Sequence, residues 1–229
     1  MAHNIALDEA LLLSAERQPA GGGYLRIWEP SSPLVVVGRG SDVSVEVNLQ
    51  QCRQEQVPVL RRSSGGAAIV ASRGCLMYAV VLPYSQHPQL RAIDQAHHFV
   101  LDKFATTLAD ALPGLQREGI SDLAQYGRKV SGNSLRCRKD WLLYHGTFLY
   151  DMNLEMVGKY LLNPPRQPDY RAGREHFEFI SNMDISRDRL RDAVVSAWDG
   201  ERIDDWPEAL THQLVAEKYS QPEWNLLVG

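Results

Sequence analysis

The first candidate for chemistry is the run Arg61-Arg62-Ser63-Ser64-Gly65-Gly66-Ala67-Ala68, which lies between two apolar stretches. Adjacent glycines let a backbone approach a ligand closely and let its amides point at an anion. The two arginines add charge-assisted donors for a phosphate or a carboxylate. No Gly-Lys-Ser/Thr sequence follows the glycines, so the run is not a Walker A loop. By itself the run is also compatible with a glycine hairpin turn flanked by solvated arginines.

The second candidate is the run Gly127-Arg128-Lys129-Val130-Ser131-Gly132-Asn133-Ser134, where a lysine stands between a glycine and a turn of small residues. Such a lysine can lie against an activated acyl group and neutralise charge that develops on a carboxylate or phosphate. A solvated basic turn is the alternative, and the pattern predicts a basic turn from Arg128 to Asp140. We predict that Arg136, Arg138 and Lys139 form an exposed loop rather than catalytic groups.

The third candidate is His145, in the strand-like run Tyr144-His145-Gly146-Thr147-Phe148-Leu149. A histidine before glycine can orient a substrate or transfer a proton, and a structural hydrogen bond is the alternative. The three cysteines form no CxxC pair, so neither a disulfide framework nor a thiolate zinc site is indicated. Cys52 and Cys75 are predicted to be buried small residues. Cys137 lies among basic residues, which lower a thiol pKa, and stays open as an alternative nucleophile.

The composition of the chain limits the functions that these candidate residues can have. The chain has 229 residues, of which 44% are hydrophobic and 23% charged, as in an ordinary folded domain. Lys+Arg is 24 and Asp+Glu is 28, giving 24 − 28 = −4. That balance excludes a strongly basic nucleic-acid coat and a disordered polyelectrolyte. No apolar run approaches the roughly 20 residues that span a bilayer. The N-terminus has no basic stretch before an apolar run, so no signal peptide is predicted. Together with the cysteine pattern and the charge balance, this predicts a reduced, cytoplasmic protein with neither nucleic acid nor membrane as a partner.

Periodicity predicts the elements that must position the candidates. The predicted helices are Asn4–Glu16, ended by Pro19 and Gly21 to Gly23, Ile93–Leu112, Ser186–Trp198 and Pro207–Tyr219. The predicted strands are Tyr24–Trp28, Leu34–Val37, Pro58–Arg62, Ala67–Val70, Leu76–Leu82 and Leu142–Tyr150. This order favours a mixed α/β or α+β sheet flanked by helices over a regular βαβ repeat. We predict a catalytic domain over residues 1–183 and a short helical extension or lid over residues 184–229.

Taken together and in order, the motifs resemble the lipoate–protein ligase A family, within the biotin/lipoyl protein ligase and octanoyltransferase superfamily. The resemblance covers roughly residues 4–182. The motifs besides the three runs above are Asn4-Ile5-Ala6-Leu7-Asp8-Glu9-Ala10, Arg26-Ile27-Trp28, Val35-Val36-Val37-Gly38-Arg39, Asp122-Leu123 and Leu162-Asn163-Pro164. The resemblance implies the mixed sheet of that superfamily's catalytic core. It also implies a two-step reaction in which lipoate, or a related medium-chain acid such as octanoate, attacks the α-phosphate of ATP with Mg²⁺ present, and a lysine of a lipoyl-carrier domain then takes the acyl group.

The resemblance also assigns expected roles. Lys129 matches the family's lysine on the carboxyl and phosphoryl oxygens of the adenylate. Asp122 is expected near nucleotide and metal, and Ser131 near the nucleotide. The residues expected to bind the acid are Arg62, Ser64, Gly65, Gly66, Ala67, Gly132, Ser134, His145, Gly146 and Thr147. The expected carrier is a glycine-cleavage H protein, a dehydrogenase E2 domain or a specialised lipoate-binding protein.

Three departures from the family pattern keep alternatives open. Ala67 replaces a third glycine, and Ala71 and Ser72 replace a His-Asp pair. The octanoyltransferase branch needs a cysteine after an Asn-Pro, but Asn163-Pro164 is followed by Pro165, which argues for adenylation. Residues 184–229 are too few for the family's full accessory domain, so we expect either that the two predicted helices suffice or that another chain supplies that function. The alternatives are an ATP-independent transferase, a non-catalytic subunit that binds lipoate or a carrier, and, more weakly, a biotin ligase.

Overall fold

The computed structural model describes residues 1–17, 22–163 and 167–227. The strands are β1 (Tyr24–Trp28), β2 (Leu34–Val37), β3 (Val59–Arg61), β4 (Ile69–Ala71), β5 (Cys75–Pro83), β6 (Leu115–Glu118), β7 (Asp122–Gln125), β8 (Arg128–Cys137) and β9 (Trp141–Leu149). The helices are α1 (Ala2–Arg17), α2 (Val43–Glu46), α3 (Leu49–Gln54), α4 (Ile93–Leu108), α5 (Glu155–Tyr160), α6 (His176–Phe179), α7 (Arg187–Ala197), α8 (Glu208–Leu214) and α9 (Pro222–Asn225). Pro19, Gly21, Pro164 and Pro165, on which two of the predictions rest, lie outside the described residues.

The larger sheet has six strands in the order β1-β5-β9-β8-β7-β6, and each neighbouring pair is antiparallel. Its second strand in this order, β5, is buried along its whole length. Because side chains alternate across a strand, Leu76 and Val80 pack under α4 on one face, whereas Ala79 and Val81 pack under α1 on the other. The predicted mixed α/β sheet flanked by helices is therefore confirmed, with both faces covered.

The smaller sheet has three strands in the order β3-β2-β4. Strand β2 pairs in parallel with β3 and antiparallel with β4, so β3 and β4 do not pair with each other. The hairpin alternative for the arginine–glycine run is therefore wrong. The run between these strands, which we call the glycine loop (Arg61–Ala68), instead crosses the end of β2, where the amide of Arg62 donates to the Val37 carbonyl at 3.0 Å.

The predicted basic turn from Arg128 to Asp140 is wrong for most of its length, because β8 occupies Arg128–Cys137. This strand has hydrogen-bonded neighbours on both edges, β7 and β9, and that pairing outweighs the polar character of its sequence. The predicted helix Ile93–Leu112 ends at Leu108. Ser186 caps α7 as predicted, its hydroxyl accepting from the Arg189 amide. The predicted Pro207–Tyr219 helix is α8 followed by a π-helical segment over Val215–Tyr219.

The C-terminal segment packs onto the same layers as the rest of the chain. Helix α7 contacts α4, and α8 contacts α1. Helix α9 contacts β3, where the buried Arg61 guanidinium donates to the carbonyls of Trp224 at 2.8 Å and Leu227 at 2.9 Å. The domain division at residue 183 stays a prediction. Among the described residues, no helix combines the length and apolar character needed to cross a lipid bilayer.

Candidate active site

A cavity of about 1330 Å³ opens between the two sheets. Its walls come from α1, α2, β2, the glycine loop, β5, β8, β9 and residues 167–170. The predicted site residues that line it are Arg62, Gly65, Gly66, Ala67, Asp122, Lys129, Gly132, Ser134, His145, Gly146 and Thr147. Ser64 and Ser131 do not line it; both are buried behind its wall. No described residue of the predicted extension lines the cavity, so these helices do not cover it as a lid.

Each carbonyl from Ser64 to Ala67 accepts a hydrogen bond from a neighbouring residue. The bonds are Arg39 N to Ser64 O at 2.7 Å, Ser134 Oγ to Gly65 O at 2.9 Å, Ser41 Oγ to Gly66 O at 3.1 Å and Arg62 Nη2 to Ala67 O at 3.0 Å. The amides of Gly65, Gly66 and Ala67 have no acceptor within the described part of the chain, and these residues line the cavity. Such a row of free amides fits a carboxylate or phosphate oxygen.

Arg62 supplies positive charge beneath this loop. Burial lowers the pKa of its guanidinium to about 10, so it is still cationic at neutral pH. Its Nη1 donates to the Val36 carbonyl at 3.2 Å, and its Nε donates to Ser64 Oγ at 3.0 Å. Gly66 has a φ of +84°, and a Cβ there would lie 2.9 Å from Arg62 Nη2. A glycine is therefore required for the loop to pass over the arginine.

Lys129, near the start of β8, also lines the cavity. The register between β7 and β8 shifts beside it, since Ala124 faces Lys129 whereas Leu123 faces Ser131. Bulges of this kind re-aim a side chain. The lysine then lies across Gly132, where a Cβ would be 2.8 Å from its Cε. Its Nζ pairs with Asp122 Oδ1 at 2.8 Å.

Asp122 is held on its other oxygen by Tyr170, whose hydroxyl donates to Oδ2 at 2.8 Å. Burial, together with the Asp122 charge, raises the pKa of the Tyr170 hydroxyl, which stays protonated. No cluster of three histidine, cysteine or acidic residues exists in residues 1–17, 22–163 and 167–227. Mg²⁺ is often held by one carboxylate together with phosphate oxygens and water. Asp122 fits the role of that one carboxylate, beside the lysine.

His145 stands in a buried chain of hydrogen bonds. Its Nε2 is 2.5 Å from Ser64 Oγ, and its Nδ1 is 2.9 Å from Asp8 Oδ2. Asp8 also pairs with Arg26 at 2.6 Å. Burial raises the pKa of the Asp8 carboxyl, but Arg26 and His145 outweigh burial and bring that pKa below its usual value. Sequence reasoning gave Asp8 and Arg26 no role in this site, although both lie in motifs that carried the resemblance.

The residues that replace the family's His-Asp pair contribute nothing to the cavity. Ala71 is fully buried in β4, opposite Leu34, and the Ser72 hydroxyl donates to the Arg73 carbonyl. The cysteines also lie outside the lining. Cys52 and Cys75 are buried, as predicted, and burial raises the pKa of the Cys75 thiol to about 12. Cys137 is exposed at the end of β8.

The exposed-loop prediction fails for one of its three basic residues. Arg138 and Lys139 are exposed after β8, with Arg138 3.5 Å from Glu16. Arg136 is half-buried on β8, where its Nη1 donates to the Ser63 carbonyl at 2.8 Å. Its Nε is buried and has no hydrogen-bond partner in the described ranges. Arg136 therefore braces the glycine loop from the strand that also carries Lys129.

One large cavity thus brings together the glycine loop, Lys129 and His145. Residues 1–192 match the family described as the lipoyl protein ligase A/B catalytic domain, and the chain belongs to this family.

The relatives that are similar to the chain include both lipoate-protein ligases and an octanoyltransferase. A lipoate-protein ligase A of Aeropyrum pernix is 31% identical over 96% of this chain and 76% of its own length. One of Mycoplasma pneumoniae is 31% identical over 69% of this chain and 45% of its own length. The chain therefore matches less than half of that longer relative. The octanoyltransferase LipM of Carboxydothermus hydrogenoformans is 26% identical over 97% of this chain and 93% of its own length.

Solved structures share the fold. A lipoate protein ligase of Thermoplasma acidophilum with bound lipoic acid superposes with a TM-score of 0.79 at 22% identity, covering 98% of this chain and 93% of that one. A structure of the bipartite ligase of the same organism, described together with its E2 lipoyl domain, gives 0.76 at 23% identity, covering 100% and 93%. A lipoate-protein ligase A bound with ATP gives 0.79 at 25% identity, covering 99% and 94%.

Proposed function

We propose that the protein is a lipoate–protein ligase that uses ATP to activate lipoate or octanoate and transfers the acyl group to a lysine of a lipoyl-carrier domain. The observation that carries this proposal is the chemistry of the cavity lining. Lys129 and the three loop residues with free amides line the cavity, whereas all three cysteines lie outside it. A thiolate is the natural acceptor for an acyl group delivered as a thioester, whereas adenylation needs no nucleophile from the enzyme.

The size and walls of the cavity fit two substrates at once. Small-molecule pockets usually measure about 300–1,000 Å³, and this cavity is larger, at about 1330 Å³. Ile5, Val36, Ile69 and Met77 supply apolar wall for an acyl chain. Lys129, Asp122 and the glycine loop supply the polar end, where a carboxylate can meet a nucleotide phosphate. The relative that was solved with ATP bound supports ATP as the nucleotide.

In the first step, a carboxylate oxygen of the acid attacks the α-phosphorus of ATP. The bond to the β-phosphate breaks, and pyrophosphate leaves with its electron pair. Lys129 and the amides of Gly65 to Ala67 are placed to hold the acid's carboxylate and to stabilise charge on the phosphoryl oxygens. Mg²⁺, when bound, neutralises phosphate charge, and Asp122 would help to hold it. The product is an acyl-adenylate.

In the second step, the amine of the carrier lysine attacks the acyl carbon. The bond from that carbon to the AMP oxygen breaks, AMP leaves, and the amine loses a proton to form the amide. The loop amides are positioned to stabilise the oxyanion that forms on the acyl oxygen. A lipoyl domain is the proposed carrier, and a separate accessory chain is a further proposed partner. The bipartite relative from Thermoplasma acidophilum supports both.

The test is to incubate the purified chain with lipoate, Mg-ATP and an apo lipoyl domain, and to weigh the carrier by intact-mass spectrometry. We expect a lipoyl mass gain that requires ATP, together with lipoate-dependent exchange of pyrophosphate into ATP. A mass gain from octanoyl-carrier protein without ATP would overturn the ligase assignment in favour of the transferase, which the LipM similarity favours. Pyrophosphate exchange without carrier modification would indicate that the transfer step needs a second chain.

A further inference from the structure

A buried row of polar side chains joins the first helix to the glycine loop. It runs from Arg26 on β1 through Asp8 on α1 and His145 on β9 to Ser64 in the loop. The successive distances are 2.6, 2.9 and 2.5 Å. Ser64 Oγ then accepts from Arg62 Nε at 3.0 Å. The proposed reaction assigns roles to the loop and to Lys129 but none to Asp8 or Arg26.

The carboxylate of Asp8 fixes the direction of every bond that follows it. An ionised carboxylate only accepts hydrogen bonds, so His145 must donate from Nδ1. A neutral imidazole protonated at Nδ1 accepts at Nε2, so the Ser64 hydroxyl must donate to it. The remaining lone pairs of Ser64 Oγ then face Arg62 Nε, which can only donate. With the ring in this tautomer, each hydrogen bond in the row has only one possible donor.

We infer that Asp8 is a positioning residue, which selects the Nδ1-protonated tautomer of His145 and thereby orients Ser64, Arg62 and the glycine loop. Arg62 in turn donates to the carbonyls of Gly65 and Ala67. These bonds fix the backbone of the loop residues that line the cavity. The effect on turnover rests on the proposed ligase function, whereas the tautomer of His145 does not.

The same three side chains have the composition of a Ser-His-Asp triad, in which serine acts as an acyl nucleophile. Two observations oppose that role here. Ser64 is 1% exposed and does not line the cavity. Its oxygen is also engaged by the Arg62 guanidinium. Ser64 therefore transmits position and carries no acyl group.

The test compares Asp8→Asn with Glu9→Gln. The two carboxylates are neighbours on α1 and nearly equally buried, at 7% and 6% exposure. Glu9, however, bonds to Lys218 and Tyr219 of the C-terminal segment and not to His145. The primary readout is the ¹⁵N–¹H NMR spectrum of the His145 ring, assigned with His145→Gln. The second is lipoate-dependent pyrophosphate exchange.

In the wild type and in Glu9→Gln, we expect Nδ1 to be protonated and exchange to be normal. In Asp8→Asn, the new amide can accept from Arg26 and donate to His145 Nδ1, so the proton moves to Nε2. Misplacement of the loop then lowers exchange by about 100-fold. An unchanged tautomer in Asp8→Asn, a doubly protonated ring in the wild type, or an equal loss of exchange in Glu9→Gln would each overturn the inference.

If Asp8→Asn does not fold, Ser64→Ala takes its place. This variant leaves the Asp8–His145 bond intact, so we expect the wild-type tautomer together with a large loss of exchange. Normal pyrophosphate exchange in Ser64→Ala would overturn the inference. An acyl ester on Ser64 of the wild type, formed on incubation with an octanoyl thioester, would also overturn it. If the wild type exchanges no pyrophosphate at all, the proposed function fails, and the NMR result still decides the tautomer.

Discussion

Lys129 owes its position to three neighbours in the fold. The bulge beside it turns the side chain, Gly132 leaves room for it, and Asp122 holds its ammonium at 2.8 Å. The pair is partly buried, with the Asp122 side chain 8% exposed and the Lys129 side chain 27% exposed. A phosphate that enters the cavity competes with Asp122 for the same charge. The lysine is thus placed to move from a carboxylate of the protein to the oxygens of the substrate.

The first prediction follows from that placement. Lys129→Met keeps the length and apolar body of the side chain and removes its charge. Loss of one preorganised charge at a developing anion costs about 10²- to 10³-fold in turnover, so we expect pyrophosphate exchange to fall by that factor. Lys139→Met, in the exposed loop, is the matched control and keeps full activity. A Lys129→Met enzyme that exchanges normally would show that this lysine has no part in the chemistry.

The second prediction concerns the hydroxyl of Tyr170. Tyr170→Phe keeps the ring against Phe179, at a centroid distance of 5.0 Å, and removes only the bond to Asp122. Asp122 can then turn, so Lys129 loses its fixed direction. We expect kcat for exchange to fall about 10-fold, with little change in the KM for lipoate. Tyr126→Phe is the control, because Tyr126 is 77% exposed. Equal activity in the two variants would exclude a positioning role for Tyr170.

At the level of single residues, the sequence motifs identified residues that line the cavity but not the residues that hold them in position. Lys129 and Asp122 lie within runs that resemble known motifs. Tyr170 and Asp8, by contrast, meet their partners across 48 and 137 positions of the chain. Contacts of that separation depend on how strands and helices stack. No local pattern of residue types encodes them.

Among the elements, β9 and β8 meet at a point where one glycine is indispensable. Gly146 faces Asn133 across the pair, and a Cβ at Gly146 would lie 1.9 Å from Asn133 Oδ1. That amide accepts from the Tyr78 hydroxyl at 2.5 Å and donates to the Ser121 carbonyl at 2.8 Å. Asn133 therefore ties β8 to β5 and to the residue before β7. The glycine allows this amide to lie flat over the sheet.

The third prediction is that Gly146→Ala destabilises the protein. The new methyl group must displace Asn133, and overpacking of this kind costs about 1–3 kcal/mol. The control is Gly158→Ala within α5, where a Cβ would meet nothing within 4 Å. An alanine in a helix is more stable than a glycine by about 0.5–1 kcal/mol, so this control should gain stability. Urea unfolding of both variants measures the difference, and a Gly146→Ala protein as stable as the wild type would show that the sheet adjusts freely.

The elements also show where periodicity misleads. The alternation in β1 and the continuous apolar run in β5 predicted both strands nearly to the residue, because β1 packs one face on the core and β5 is buried on both faces. Strand β8 carries polar and small residues that face the cavity, so its sequence resembles a turn. The runs around the glycine loop were correctly predicted as strands. Their pairing with β2 instead of each other is a property of the sheet, and neither run encodes it.

For the molecule as a whole, the buried carboxylate of Asp8 and the half-buried carboxylate of Glu29 link separate parts of the chain. Asp8 ties α1 to β1 and β9. Glu29 follows β1, accepts from the Gly74 amide and the Tyr150 hydroxyl at 2.7 Å each, and pairs with Arg187 of α7 at 2.7 Å. Burial raises the pKa of both carboxyls, but their partners outweigh burial and bring each pKa below its ordinary value, 3.8 for aspartate and 4.5 for glutamate. Each carboxylate is therefore worth more to the folded protein when it is ionised.

The fourth prediction is a loss of stability in acid. Because both pKa values are lower in the folded state, the unfolded chain binds more protons below about pH 5, and the free energy of unfolding falls as the pH drops. The contribution of Glu29 and Asp8 is fully present above 4.5 and 3.8, their ordinary pKa values, and is lost as pH falls through the lower folded values. Urea unfolding from about pH 7 to about pH 3 measures this slope. Glu29→Gln should lower stability at neutral pH and flatten the slope, whereas Asp204→Asn, in an exposed pair with Arg202, should change neither. A slope as steep in Glu29→Gln as in the wild type would place the acid sensitivity elsewhere.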